Sequence, residues 1–415
     1  MSFLRGFVRR PQRVWLRRLN FQIHLWIGLI LTLYLIMIGL TGSILVFREE
    51  LEHLAGANPW RGIQTSGPYA DPVQVIASVR AAFPDARMIS LSAPTKSNPV
   101  YIAVLQTRGR AAGAGSIAIH PVTGEVLGRL PRRLPPRWAW LGVVRNLHVT
   151  LLSGVTGRQV NGVLAGFLLL VNLTGMVVWW PGLRAWTRAL TVDFARTWRR
   201  VNFDLHRAVG FWTLAIVSFW GISGVYFGWS RETRMLIEKI SSVISAMPPV
   251  IHVEPRAAGA SDAADLHAML AQAASLDPGT TLRQIAFPSG RRAPLEISMQ
   301  RFGTRGAEFA DTLYFDPYDG RYLAIWKYGV NQSLGDWFIW LQIPLHFGTF
   351  WGLGVKILWA AFSLSIPLLC VTGALMYWNR FLRRRWPRLS RFGRGQDTLL
   401  HREFQADNLS TGVQK

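Results

Sequence analysis

Four long apolar runs without a charged residue punctuate the chain: Phe21–Phe47, Gln159–Leu183, Ala208–Ser230 and Ile357–Asn379. Each exceeds the roughly 20 residues needed to cross about 30 Å of hydrocarbon as a helix. The pattern therefore predicts four transmembrane helices. Between the first and second runs, and between the third and fourth, the pattern changes to short segments in which apolar and polar residues alternate. Residues 48–157 hold a helix-like stretch, Asp71–Ala82, then strand candidates at Met88–Ser92, Val100–Gln106 and Ser116–His120. A turn, Pro121-Val122-Thr123-Gly124, leads into Glu125–Leu130. Residues 231–356 repeat the order with a helix at Ser261–Ala274, strands at Leu282–Phe287, Leu295–Met299 and Thr312–Phe315, and a turn at Asp316–Gly320 into Arg321–Ile325. Proline presets φ and glycine supplies the positive φ that a tight hairpin needs, so both turns read as hairpins.

The two halves are in register. Phe21-x-x-His24-x-x-x-Gly28 is followed by Gly39 and Gly42, and Phe203-x-x-His206-x-x-x-Gly210 by Gly221 and Gly224, so the glycines fall at +4, +15 and +18 from each histidine. His148 precedes Gly175 by 27 residues and His346 precedes Gly373 by 27, with a basic residue at +10 in each copy, Arg158 and Lys356. This is the signature of an internal duplication. The expected fold is an α-helical membrane protein with four transmembrane helices as two parallel repeats and two small α/β domains on the outer side. The expected layout is a basic N-terminus (1–20), spans at 21–47, 158–183, 205–230 and 352–379, and α/β domains at 48–136 and 231–333. Aromatic, glycine-broken interfacial helices occupy 137–157 and 334–351, a loop 184–204 and a tail 380–415.

Charge supplies the orientation. The net charge is +23, and it is concentrated. Residues 1–20, 184–207 and 380–394 carry six, six and seven arginines against only Asp193 and Asp204. The positive-inside rule places these segments, and both termini, in the cytoplasm, with the α/β segments outside. Basic clusters beside membrane spans attract lipid headgroups, so nucleic acid is not an expected partner. The first run is too long for a signal-peptide core and should stay as an anchor. The single cysteine, Cys370, excludes an intrachain disulfide, a cysteine-rich zinc site and covalent haem attachment through paired thiols.

A pseudo-two-fold axis along the membrane normal would bring equivalent residues face to face. His24 would then meet His206 near the cytoplasmic edge, and His148 would meet His346 near the outer one. Two neutral imidazoles can fill both axial positions of one haem iron, a coordination suited to electron transfer. Gly28 and Gly210, one turn beyond on the same helix face, would leave room for the macrocycle. Arg158 and Lys356 would neutralise propionates at the outer haem, with Arg145 or Arg207 assisting. Trp26, Phe211, Trp179, Trp180, Tyr377 and Trp378 are candidates for the haem edge. Each feature has a plainer reading. A single histidine at a membrane edge is usually an interfacial polar residue, aromatics there form a belt, and Gly-x-x-Gly pairs serve close helix packing. Packing is the expected role of Gly39, Gly42, Gly221 and Gly224. His53, beside Glu49, Glu50 and Glu52, reads as a solvated helix face, and His120, His252, His267 and His401 as surface residues.

Several segments resemble the PepSY-associated transmembrane proteins. They are Phe21–Phe47 with Arg48-Glu49-Glu50-Leu51, Leu147-His148 with Gly154 and Gly157, the Leu-Thr-Gly to Trp-Trp end of the second span, and the Pro-x-x-Gly hairpins. The resemblance covers about residues 15–385. It implies PepSY-type periplasmic domains, two haem b groups on His24/His206 and His148/His346, and kinship with inner-membrane reductases of siderophore-bound iron. The expected activity is electron transfer across the bacterial inner membrane to a ferric siderophore or similar chelate in the periplasm. The chain has no Gly-x-Gly-x-x-Gly between a strand and a helix, so the donor is expected to be a quinol or a cytoplasmic reductase. Two rival readings are a periplasmic peptide- or protein-binding sensor with structural histidines, and a metal transporter.

Overall fold

A computed structural model describes residues 15–382 except 57–58, 61, 64, 96–97, 108–113, 132–133, 256–263, 302–309 and 351. The basic residues 1–14 and 383–394, the start of the expected helix at 261, His401 and the C-terminal tail lie outside the described residues. The chain divides into two compact units. One comprises 1–46, 145–229 and 346–415; the other comprises 47–144 and 230–345.

The first unit holds the four apolar helices: α1 (Trp15–Leu45), α5 (Gly154–Trp179), α6 (Trp198–Gly228) and α10 (Leu353–Tyr377). All four are long and apolar enough to cross a membrane. Helix α1 packs on α5, α5 on α6, α6 on α10 and α10 back on α1, which leaves α1 and α6 on one diagonal. Leu31, Leu35, Leu168, Val217 and Ile366 meet in the centre. Close approach is made by small residues. A Cβ on Gly224 would lie 2.6 Å from that of Ala165, and one on Gly228 would lie 2.6 Å from the Gly162 Cα. Gly39 fits onto the proline turn of α10, where a Cβ would meet Pro367 Cδ at 2.5 Å and the Ser363 carbonyl at 2.8 Å. Helix α6 starts ten residues before its charge-free run. Asp204 is buried there, yet it accepts from Arg200 at 2.9 Å and Arg207 at 3.1 Å, so the extra turns carry a compensated charge.

The second unit is built on a sheet. Helix α2 (Arg48–Leu54) and α3 (Pro72–Ala82) precede β1 (Ala86–Ser92), β2 (Tyr101–Thr107), β3 (Ala114–Ile119) and β4 (Val126–Arg129). After α4 (Ala139–Thr150) and the membrane helices, α7 (Ser230–Glu238) and α8 (Leu266–Leu276) lead to β5 (Thr280–Ala286), β6 (Leu295–Arg301), β7 (Ala310–Phe315) and β8 (Tyr322–Trp326). Helix α9 (Leu334–Phe347) follows. Asp71 and Asp265 cap α3 and α8, accepting from Val73 N and His267 N. Both hairpins turn on a glycine at positive φ, Gly124 at 72° and Gly320 at 74°.

Two separate α/β domains were the expectation; the strands form one antiparallel sheet of eight, ordered β4-β3-β2-β1-β5-β6-β7-β8. The seam is β1 against β5, with Ser90 opposite Ala286, Leu91 opposite Ile285 and Ser92 opposite Gln284. The physical reason is that each four-stranded half ends in an apolar edge whose backbone groups need a partner. One core runs across the seam, from Val75, Val79, Leu91 and Ile117 to Met269, Ala273, Ile297 and Phe315. Asp336 at the start of α9 is fully buried. Its carboxylate accepts from the backbone N–H groups of Ile244, Ser245, Ala246 and Gln332 and from the Ser245 hydroxyl, at 2.9 to 3.0 Å.

Candidate functional site: paired histidines in a helix bundle

His24 lies in α1 and His206 in α6, on the bundle diagonal. Their ring centres are 6.2 Å apart and their planes are 83° to each other. Each Nδ1 is occupied by a carbonyl of a neighbouring helix: Val171 O at 3.0 Å from His24, and Leu369 O at 3.1 Å from His206. His206 Nδ1 also meets Thr372 Oγ1 at 3.0 Å. A carbonyl can only accept, so the proton of each ring sits on Nδ1 and the lone pair is left on Nε2. The positions are matched: Val171 and Leu369 lie 23 residues after His148 and His346 respectively. Glycines make this approach possible. A Cβ on Gly175 would lie 3.0 Å from His24 Cε1, and one on Gly373 would lie 3.3 Å from His206 Cε1.

A cavity of about 1170 Å³ opens beside this pair. Gly28 and Gly210 line it, and a Cβ on Gly28 would meet nothing within 4 Å. Trp179, Phe211 and Tyr377 are also on its wall, with Trp179 stacked on Phe211 at 4.4 Å. The other expected edge residues differ: Trp26 and Trp378 are 50% and 44% exposed, and Trp180 is half-buried beside Trp179.

His148 and His346 end α4 and α9, each just before a left-handed bend. The first bend runs through Leu151, Leu152 and Gly154 with φ of 48°, 60° and 59°, the second through Gly348 at 67°. Here hydroxyls replace carbonyls as the Nδ1 partner. Thr41 Oγ1 is 2.8 Å from His148 Nδ1 and Ser223 Oγ is 2.6 Å from His346 Nδ1. Thr41 gives its own proton to Met37 O and Ser223 to Trp220 O, so both oxygens accept from the imidazole. Nε2 is again the lone-pair nitrogen. Burial pushes the His148 imidazole down to about 4. Burial, and then the charge of His148, push His346 down to about 3. Both rings are therefore neutral, the form that ligates a metal. Gly42 allows the His148 contact, since a Cβ there would lie 3.2 Å from its Cε1. Gly42 was expected to serve helix packing, and it does so as well, since an added Cβ would lie 2.8 Å from Ser363 Oγ. Asn161 fixes the chain further, donating to His148 O at 2.7 Å while accepting from Tyr34 at 2.6 Å. Arg158 and Arg145 are exposed and Lys356 is half-buried.

Sequence analysis missed the hydroxyls Thr41, Ser223 and Thr372 as histidine partners, and of the arginines on the cavity wall it named only Arg207, which it gave to the outer pair and the structure places beside the inner one. A signal was present, because Thr41 and Ser223 both stand 17 residues after an α1 or α6 histidine. Arg17 and Arg199 both stand seven before one. Of the other histidines, His120 accepts from Val122 N and Thr123 N and so closes its hairpin, and His267 lies 3.5 Å from Asp71. Among the described residues no group of three His, Cys, Asp or Glu is placed to hold a bare metal ion.

The donor set fits haem. His24 and His206, with ring centres 6.2 Å apart and each Nδ1 committed to a carbonyl, would hold it through Nε2, and two such ligands would suit it to electron transfer. Fold and site thus define a four-helix membrane protein with the histidine pair His24–His206 on the bundle diagonal and a separate antiparallel sheet. The chain belongs to the family described as the PepSY-associated TM region, which matches residues 21–380. A Pseudomonas aeruginosa protein described only as uncharacterized is 26% identical over 266 residues, covering 58% of this chain and 64% of that protein. The match therefore spans less than two thirds of that relative.

Proposed function

We propose that this protein is an inner-membrane dihaem b oxidoreductase that takes electrons from a quinol or a cytoplasmic reductase and delivers them to a periplasmic ferric siderophore or similar ferric chelate. The observation that carries the reading is the His24–His206 pair, 6.2 Å between ring centres with both Nδ1 atoms committed to carbonyls. Haem bound between such imidazoles supplies reversible one-electron transfer. The chain's part is to hold each ring in one tautomer, to leave space through Gly28 and Gly210, and to exclude water with Trp179 and Phe211. In this reading the arginine-rich segments face the cytoplasm, the sheet unit is periplasmic, and the two halves are parallel repeats about an axis along the membrane normal. Arg158 and Lys356 then bring positive charge to the outer pair. Reduction to Fe(II) lowers the charge density of the iron and loosens its hard oxygen ligands, which releases it.

The test is the visible spectrum and haem content of the purified chain. Two haems per chain with a reduced b-type spectrum are expected, and His24→Ala or His206→Ala should remove one and keep the other. A colourless protein after expression with ample haem sinks the reading. Loss of both haems in every single variant rules out two independent sites.

A further inference from the structure

The cavity beside His24 and His206 has one strongly polar wall. Arg17, Arg18, Arg199, Arg207 and Arg380 line it, and among the described residues no Asp or Glu does. Three donor atoms on that wall are buried without a hydrogen-bond partner: Nε of Arg17, Nε of Arg207 and Nε1 of Trp179. Each arginine is anchored elsewhere through Nη2. Arg17 gives Nη2 to Val178 O at 2.8 Å, and Arg207 gives Nη2 to Arg188 O at 2.7 Å and to Asp204 at 3.1 Å. Both side chains are thus held at Nη2 while the buried Nε of each stays unmatched. A buried donor lacking an acceptor is a standing cost, and three on one cavity call for a ligand that brings acceptors. The far end is apolar, formed by Leu35, Leu168, Val217 and Ile366. Along α1, Arg17 stands about 10 Å before His24 and Leu35 about 16 Å after it, so the cavity is polarised about the histidine pair.

We propose that this cavity binds its cofactor by an anionic end, with two carboxylates taken by Arg17 and Arg207, Trp179 Nε1 as a third donor, and the apolar edge turned towards Leu35 and Ile366. The proposal rests on the haem reading above and adds which way the group lies and what holds it. Guanidinium–carboxylate hydrogen bonds are charge-assisted and among the stronger polar contacts available.

The experiment uses the full chain carrying His148→Ala, so that only this site titrates, stripped of haem and placed in phosphatidylcholine nanodiscs. Binding of haem and of haem dimethyl ester is followed by the Soret band and by the rate of transfer to an acceptor apoprotein. Haem should bind roughly tenfold or more tighter than the ester, the factor expected for losing a hydrogen bond to a charged group. Adding Arg17→Gln and Arg207→Gln should weaken haem by that factor and leave the ester nearly unchanged. Equal affinity for haem and ester before those substitutions overturns the proposal and points to a phospholipid anion on these donors instead. Retained discrimination in the arginine variant also overturns it. A chain that binds neither compound removes the haem reading itself, so the two failures are distinct.

Discussion

At all four histidines the proton on Nδ1 is placed by an acceptor on a neighbouring helix, and this fixes Nε2 as the nitrogen that carries the lone pair. Partners of that kind typically change metal affinity 10- to 100-fold. Thr41→Val keeps the volume and removes the acceptor of His148. It should weaken haem retention at the outer pair by about tenfold and leave the inner pair unchanged, as read by haem transfer to an acceptor protein. Asp336 gives a second test at this scale, independent of any cofactor. Burial works against its charge, but the backbone N–H groups of Ala246, Ser245, Gln332 and Ile244 outweigh it and hold the carboxyl well below the usual carboxylate range. A depressed native pKa adds stability that is present above the unfolded value of about 3.9 and is lost as pH falls through the native one. Asp336→Asn turns an amide N–H₂ towards backbone donors and should cost on the order of 2 kcal/mol at neutral pH. In denaturation series the gap between wild type and variant should close as pH drops below about 4; a gap constant with pH refutes the role of the charge.

Elements differ in how openly the sequence announces them. The hairpins were legible because Pro-x-x-Gly and Asp-Pro-x-x-Gly demand one backbone geometry. The spans were legible as charge-free runs, although helix α6 begins ten residues before its run, where Asp204 is matched one turn away on either side by Arg200 and Arg207. Gly175 and Gly373 stood out only as markers of the repeat, because their purpose depends on a histidine from another helix. That purpose can be graded. An added methyl would lie 3.0 Å from the His24 ring and 3.3 Å from the His206 ring. Gly175→Ala should therefore disturb the inner-pair spectrum more than Gly373→Ala, with a larger loss of haem, while the outer pair is unaffected. Equal behaviour of the two variants would mean the rings are held by something other than these helix contacts. The acceptors Thr41 and Ser223 escaped notice for a related reason: they occupy the same repeat position with different side chains, so neither reads as a motif.

For the whole molecule, orientation is the quantity on which the proposed electron transfer depends. Reporter fusions in the 184–207 loop and within 60–130 should give opposite localisation signals, cytoplasmic for the first and periplasmic for the second. A cytoplasmic signal from the 60–130 fusion overturns the proposed direction of electron transfer. The matched spacing of histidines and glycines in the two halves was readable because it lies in the sequence itself. The joining of β1 to β5 was not, since edge strands of similar character carry no mark of which distant edge they will meet. That seam has a consequence in time. During synthesis at roughly 5–20 residues per second, β1 waits on the order of 10 to 40 s for β5 to appear. Two membrane helices must be inserted in that interval. Throughout it, the apolar strand at residues 86–92 stands at the border of a half-finished sheet, open to pairing with a neighbouring nascent chain. The first half is therefore the stretch of this protein most in need of a holding chaperone, and the reason lies in the order in which its strands are made rather than in the stability of the finished sheet.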